Sequence, residues 1–442
     1  MAFQGMADTM FPNQATAEAR YIAIFGTRTR FVMMVLVLLC LTSIWSNILS
    51  MSFAFVCMDP GEGPMDNSTG LNSTIQPLVT KSQQSWSTSA VAIAALLGNF
   101  PVVFIVNRVG IRTVFAGMGI LSSIATLLLP LAIRFGFPWL LVAPSGALCD
   151  AFKWPSIFYA HGAVSLLLFV TYGLFYRNSP QKHPFVGHVE LRKISVGKIS
   201  AIDKKALQAV PYGKILKTPA IWAIWIASLG NFTCVNMMFL FSPIYLSKVL
   251  GFPAHKTGFS AALPPLLQFL SKLACGAASD RIKFISEENK FRIFNSIAFI
   301  GSALFLVVLS FMGTDHKNFN MILLGGAAGT LGATTGGFFK AGPVISKQYS
   351  HFVTGNVSLG INITMIIIPF IVDALTPNNT QEEWKWVFLV VAVVMVITNI
   401  IFVIFIKGEP CAWTTDDSHS MKQPASVKIV PTKEQEVKEQ KF

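Results

Sequence analysis

The residues best suited to chemistry are polar side chains inside long apolar stretches. Lys272 lies in one such stretch, eight residues before Asp280, so it sits about 12 Å further along a helix that rises ~1.5 Å per residue. An ammonium group at that depth is costly unless it meets an anion or extends back to the surface. We therefore expect Lys272 to contact an anion, with extension towards the surface as the alternative.

Neutral amides occupy similar positions. Asn47, Asn231, Asn236 and Asn362 lie in apolar stretches, where an amide hydrogen-bonds either a solute or a neighbouring helix. The first three join Lys272 as candidate contacts of a small solute. His161 is expected to be packed. The six cysteines contain no Cys-x-x-Cys pair, so neither a metal site nor a cofactor is predicted.

The composition places these residues in a membrane protein. The chain has 442 residues, of which 53% are hydrophobic and 12% are charged. Soluble domains carry about 25% charged residues, so a soluble enzyme is excluded. The net charge of +13 fits basic loops beside a membrane. Because no basic segment is interleaved with aromatic residues, nucleic-acid binding is not predicted.

About 20 apolar residues are needed to cross the hydrocarbon core of a bilayer as a helix. The sequence contains ten such runs, which predict an all-α integral membrane protein. They are residues 32–57, 88–106, 113–133, 155–176, 220–246, 258–279, 293–312, 320–339, 352–374 and 386–406. A glycine-rich part of the eighth run, Gly325–Gly337, is interpreted as an element that lets helices pack closely or bend.

The charges of the loops predict the orientation. Most of the 34 Lys and Arg residues fall on one side if the N-terminus is cytoplasmic, as expected for a multi-pass protein with both termini in the cytoplasm. The glycosylation sequons at Asn67, Asn72 and Asn378 then lie outside. The order of segments is a tail (1–31), a helical bundle (32–176), a basic loop (177–219), a six-helix bundle (220–406) and a second tail (407–442).

Two short loops carry similar charged patterns. Asn107–Arg112 follows the second run, and Gly276–Arg281 follows the sixth. Both resemble the cytoplasmic loop motif of the major facilitator superfamily. The resemblance implies a gate in which Arg108, Arg112, Asp280 and Arg281 contact the opposite bundle. The alternative is a simple excess of positive charge on the cytoplasmic side.

A narrower resemblance covers roughly residues 20–415. Asn178–Pro184 with Glu190, the segment Glu382–Phe388 and the segment Gly408–Trp413 resemble the anion/cation symporter family, which includes sodium–phosphate, sialic-acid and vesicular glutamate transporters. The resemblance implies a two-bundle fold of twelve spans that moves a small organic or inorganic anion. It also implies H⁺ or Na⁺ coupling, a monomer, and a plasma, lysosomal or vesicular membrane.

The sequence departs from this family in its first half. Most of the fourth and fifth helices are missing between Ala143 and Pro144, which leaves about ten spans. Ile48 and Asn231 stand where some members have arginines that suit a glutamate-type substrate. The alternative function is therefore a non-transporting truncated isoform or a regulatory paralogue. A channel is disfavoured because no ring of charges is evident.

Overall fold

The computed structural model describes residues 28–58, 81–134, 155–195 and 210–414, and within these ranges all regular structure is helical. The N-terminal bundle contains four long helices. They are α1 (Thr29–Met58), α2 (Lys81–Val109), α3 (Ile111–Arg134) and α4 (Pro155–Phe175). Residues 1–27, 59–80, 135–154, 196–209 and 415–442 lie outside the described residues, and with them the expected sites Asn67 and Asn72.

Two short helices lead into the C-terminal bundle, which is the larger of the two. The short helices are α5 (His188–Ser195) and α6 (Tyr212–Leu216). The bundle consists of α7 (Pro219–Ile244), α8 (Ala254–Arg281), α9 (Glu287–Phe311), α10 (Lys317–Leu331), α11 (Phe338–Ser346), α12 (Ser350–Leu375) and α13 (Gln381–Phe405). We call the end where α1 begins and α13 ends the inner face, and the opposite end the outer face.

Helices occupy all ten predicted runs, which confirms the all-α membrane fold. By length and composition, seven stretches of the described chain are apolar enough to cross a membrane, and one of them, Thr314–Leu375, contains two predicted runs. The runs in α2 and α8 form helices but are not among the seven. The number of crossings therefore stays a prediction.

The eighth predicted run was wrong as a single helix. The α-helix ends at Leu331, a 3₁₀ turn covers Gly332–Thr335, and α11 begins only at Phe338. A Cβ atom on Gly332 would lie 2.7 Å from the backbone nitrogen of Lys272, so only glycine allows this approach to α8. Gly332 packs closely against α8, as expected of the glycines. It does so from a 3₁₀ turn that interrupts the α-helix.

Among the described residues, the two bundles pack to different extents. One extended core of buried side chains joins the helices of the C-terminal bundle. In the N-terminal bundle, a small buried cluster joins α1, α3 and α4 around Phe169 and Tyr172. Helix α2 packs mainly against α12 of the other bundle. The junction between the bundles therefore runs along α2 and α12.

Candidate functional site

Lys272 lies half-buried on α8, beside the 3₁₀ break. Its backbone carbonyl accepts a hydrogen bond from Thr335 Oγ1 at 3.2 Å. Its ammonium group makes no hydrogen bond or ion pair with the part of the chain that the structure describes. Gln268 lies one turn earlier on the same side of α8, is 4% exposed, and has an unpaired Nε2. Four residues apart on one helix, the two side chains are candidate donors to an acidic oxygen.

Asn47 and Asn231 present unpaired polar atoms on two helices in contact, α1 and α7. Both side chains are 3% exposed. Asn47 Oδ1 accepts a hydrogen bond from Ser165 at 3.2 Å, but its Nδ2 has no partner, and neither has Asn231 Oδ1. Because an unpaired buried polar group is costly, these atoms are candidate ligand contacts. No hydrogen bond joins Asn47, Asn231 and Lys272 to one another among the described residues.

Two other polar residues are occupied by protein partners. Asn236 Nδ2 donates to Ile361 O at 3.1 Å and to Thr364 Oγ1 at 2.9 Å, which ties α7 to α12. This arrangement favours the interhelical alternative for Asn236. His161 Nδ1 lies 3.3 Å from Ser46 Oγ, as expected for a packed histidine.

At the inner face, the second loop motif forms ion pairs within its own bundle. Lys340 Nζ lies 2.8 Å from Asp280 Oδ1 and 3.2 Å from Ser279 Oγ. Asp280 lies beyond the apolar run, and the hydrogen bond from Lys340 lowers the pKa of its carboxyl group. Arg281 is exposed. Among the described residues, Asp280 pairs within its own bundle, and its contact with the opposite bundle stays a prediction.

The first loop motif is also fastened within its own bundle. Asn178 Oδ1 accepts a hydrogen bond from the backbone nitrogen of Arg112 at 2.9 Å. Arg112 Nε donates to Gly173 O at 2.8 Å, in the last turn of α4, where a cation is favoured by the helix dipole. Arg108 is exposed. Arg112 thus contacts a helix C-terminus, as expected of an arginine in this motif. That helix, α4, belongs to the N-terminal bundle itself and not to the opposite bundle.

Glu190 caps the start of α1 from a distance in sequence. Its Oε1 accepts a hydrogen bond from the backbone nitrogen of Arg30 at 2.8 Å, and the side chain is fully buried. Thr29 Oγ1 donates to Phe185 O at 2.6 Å in the same region. His183, which is 7% exposed, accepts from Phe185 N and leaves Nε2 unpaired. Burial, followed by the charge of Arg177, lowers the pKa of His183.

At the outer face, polar groups of α2 join the two bundles. Lys81 Nζ donates to Thr376 O at 2.7 Å and to Pro377 O at 2.6 Å, which lie at the C-terminal end of α12. Ser85 donates to Pro369 O at 3.3 Å, and Ser89 donates to Ile366 O at 3.0 Å. These contacts close the junction between α2 and α12 from Lys81 to Ser89.

The remaining predicted site, Asn378, lies at the outer face in the turn between α12 and α13. It is exposed, and its Nδ2 donates to Glu383 Oε1 at 2.9 Å. The sequon threonine, Thr380, caps α13. The turn is on the side where the sequence analysis expects glycans, and modification of Asn378 stays a prediction.

Two helical bundles, joined along one edge with unpaired polar groups between apolar helices, define a polytopic membrane protein of the transporter class. A sequence profile described as Major Facilitator Superfamily matches residues 144–346. The match and the relatives agree with the resemblance to the major facilitator superfamily and to its anion/cation symporters. The profile match begins at Pro144, where the sequence analysis places one edge of the missing helix pair.

Several of the curated proteins that are similar to this chain are transporters by name. The chain is 31% identical to human sialin over 284 residues, which cover 62% of this chain and 56% of sialin. It is 27% identical to vesicular glutamate transporter 2 of Bos taurus (62% and 48% covered) and 24% identical to human sodium-dependent phosphate transport protein 1 (64% and 61% covered). The chain spans about half the length of the curated relatives it matches.

Sequence reasoning missed three residues that the structure makes prominent. Gln268 could have been found from its spacing of four residues before Lys272. Lys340 forms an ion pair with Asp280, and this pair joins positions that are 60 residues apart in the sequence. Lys81 precedes the second apolar run, and nothing in its surroundings in the sequence signals contact with α12.

Proposed function

We propose that the chain is a secondary active transporter that carries a small organic or inorganic anion by alternating access, coupled to H⁺ or Na⁺. The observation that carries the proposal is the junction of the bundles at the outer face. Lys81, Ser85 and Ser89 tie α2 to α12 there by hydrogen bonds to backbone carbonyl groups. A junction between two bundles that closes one face, and that opens when the bundles rock, is the arrangement that alternating access needs.

The substrate class is inferred from the polar groups between the helices. Lys272 supplies a cation, and Gln268 and Asn47 supply unpaired amide donors. Donors and a cation in a low-dielectric setting favour an acidic group over a neutral solute. Two of the relatives are named for glutamate and phosphate, which are both anions, and one is named for sodium dependence.

The test is uptake into vesicles that contain the purified chain. Phosphate and glutamate are offered with an imposed H⁺ or Na⁺ gradient. We expect gradient-driven uptake that falls by about tenfold or more in Lys272→Ala, because one charge-assisted hydrogen bond contributes about 1.5–3 kcal/mol. Lys283→Ala, which removes an exposed lysine beyond the end of α8, is the matched control and should transport normally. Unchanged uptake in a folded Lys272→Ala protein would remove this residue from the site.

The outer junction offers a separate test of alternating access. Ser89→Cys and Ile366→Cys place thiols on the two sides of a 3.0 Å hydrogen-bonded contact. A short, reducible crosslinker should stop uptake in the double variant, and reduction should restore it. Each single variant, treated identically, is the control. Transport that continues with the bundles crosslinked would contradict rocking about this junction.

A second candidate, a non-transporting isoform or paralogue, is favoured by the exposure of α1. Of the most apolar part of α1, 17% is buried, against 67% in α7. The chain also spans about half of its relatives, and two helices of the family's plan are missing from its sequence. Folded protein that takes up no anion under any gradient would favour this function.

A further inference from the structure

A preformed cleft lies at the inner face of the C-terminal bundle. It encloses about 720 Å³ and is bordered by the start of α7, the start of α9, the end of α13 and residues 406–413. The last of these segments contains Gly408–Trp413, which the sequence analysis singled out and which the proposed transport cycle does not use. The cleft belongs to one bundle, so the following inference does not rest on the proposed function.

The wall of the cleft is held at several points. Gly408 N donates to Glu288 Oε2 at 3.1 Å, and a Cβ atom on Gly408 would lie 2.6 Å from the backbone nitrogen of Glu288. Trp413 Nε1 donates to Thr218 Oγ1 at 3.1 Å, and Cys411 N donates to Ile345 O at 2.9 Å. A segment fixed in this way by backbone and side chains encloses a defined volume.

Cations outnumber acids around the cleft. Arg292 is held by an ion pair with Glu288 at 2.7 Å and by a hydrogen bond to Val403 O at 3.0 Å. Lys217 and Lys407 are exposed at the rim, and neither forms a hydrogen bond or ion pair with another described residue. Glu409 is the other acid of the lining. Because Arg292 and Glu288 neutralise each other, the two lysines and Glu409 leave a net positive charge at the rim of the cleft.

The same cleft opens beside an apolar helix surface. Ile404 is 62% exposed and Phe405 is 47% exposed, and both line the cleft from the last turn of α13. Helix α13 is apolar enough to cross a membrane, so these side chains lie where acyl chains meet the headgroup region. A ligand that fills the cleft therefore needs an anionic head and apolar tails.

We propose that this cleft binds the headgroup of an anionic glycerophospholipid. The phosphate group lies between Lys217 and Lys407, and the acyl chains lie along Ile404 and Phe405. Basic pockets between membrane helices on the cytoplasmic side recognise anionic lipid headgroups, with about 1 kcal/mol contributed by each lysine near the surface. A bound lipid would hold the start of α7 against the end of α13.

Binding of acyl-labelled phosphatidylserine to the full-length protein in detergent tests the proposal. We expect the double variant Lys217→Gln, Lys407→Gln to bind it at least about tenfold more weakly, because two lysine contacts are lost. Glu409→Gln should bind it more tightly, because a carboxylate is removed from the rim. Lys283→Gln, Lys347→Gln makes the same charge change at the inner face outside the cleft and should bind like the unchanged protein.

Two further arms separate a lipid from a free anion. Phosphatidylcholine with the same chains should bind all variants equally weakly, and millimolar inorganic phosphate should not displace the labelled lipid. The proposal is overturned if the cleft variant binds phosphatidylserine as well as the unchanged protein does, or if free phosphate displaces it completely. If the double variant does not fold, Lys407→Gln alone carries the comparison, with several-fold weaker binding expected.

Discussion

The N-terminal and C-terminal bundles differ in how many of their helix surfaces meet a protein neighbour. A single extended core runs through the C-terminal bundle, whereas α1, α3 and α4 share a small cluster. In a bilayer, apolar exposure is not itself a cost, but packing between helices fixes their positions. Within the described residues, the C-terminal bundle has the larger core, and the N-terminal bundle is also held by contacts at its ends and with α12.

The bundles also differ in how their inner ends are fastened. The N-terminal bundle uses hydrogen bonds that backbone nitrogens at the starts of α1 and α3 donate to the side chains of Glu190 and Asn178, respectively. The C-terminal bundle uses ion pairs, of Lys340 with Asp280 and of Lys290 with Glu287. The two copies of the loop motif are thus held by different interactions, one by hydrogen bonds from backbone nitrogens and the other by ion pairs. We therefore expect them to respond differently to mutation, pH and salt.

The largest expected effect concerns close-packed glycines. Gly332→Ala places a methyl group 2.7 Å from the backbone of Lys272, whereas Gly119→Ala places one against the ring of Phe169. The backbone of α8 cannot move aside, whereas the ring of Phe169 can shift within its small cluster. Gly332→Ala should therefore lower the free energy of unfolding by about 3 kcal/mol or more, and Gly119→Ala by less. Thermal unfolding in detergent measures both. Gly117→Ala, which would contact nothing within 4 Å, is the control.

Equal losses of stability in Gly332→Ala and Gly119→Ala would contradict the expected difference between the bundles. They would indicate that the two bundles are packed with the same rigidity, despite the different extents of their cores. A loss of stability in Gly119→Ala alone would indicate that the N-terminal bundle is the more rigidly packed of the two.

The next effect tests the distant cap of α1. Glu190→Ala removes a fully buried acceptor and leaves the backbone nitrogen of Arg30 without its partner. We expect the free energy of unfolding to fall by about 1–3 kcal/mol. High salt should not cause the same loss of stability in the unchanged protein, because the carboxylate is shielded from solvent. Glu382→Ala, at a side chain that is 81% exposed, should change little. A negligible effect of Glu190→Ala would leave the start of α1 without the proposed support.

The fold was largely predictable from sequence because lipid-solvated helices require long apolar runs. The break at Gly332–Thr335 was missed, because hydropathy does not report backbone conformation and glycine fits both a helix and a turn. The inner fastenings were missed for another reason. Glu190 and Arg30 are 160 positions apart, and only the fold brings them together. For Lys272, the sequence indicated its depth, but the unpaired amide of Gln268 required knowledge of burial.

A smaller effect is expected from pH, and it belongs to the N-terminal bundle. Burial and then Arg177 lower the pKa of His183, so the unfolded chain binds a proton more readily than the folded chain does. Stability should therefore be full above a pH of about 6.5 and fall as the pH drops below it. His183→Gln should flatten the dependence of the unfolding temperature on pH between about 6.5 and 5. A profile unchanged by this substitution would assign the acid sensitivity to other groups.

The smallest effect is expected at the ion pairs of the C-terminal bundle. Asp280 is 75% exposed, so Lys340→Met should lower the unfolding temperature only slightly, and the difference should vanish in 1 M salt. The hydrogen bond from Lys340 holds the pKa of Asp280 low, so its contribution is present above a pH of about 4 and is lost as the pH falls below it. Asn178→Ala, measured in parallel, should show a loss that salt does not remove. If salt abolishes both losses, the two inner ends are fastened by the same electrostatics, and the contrast between the bundles is confined to their cores.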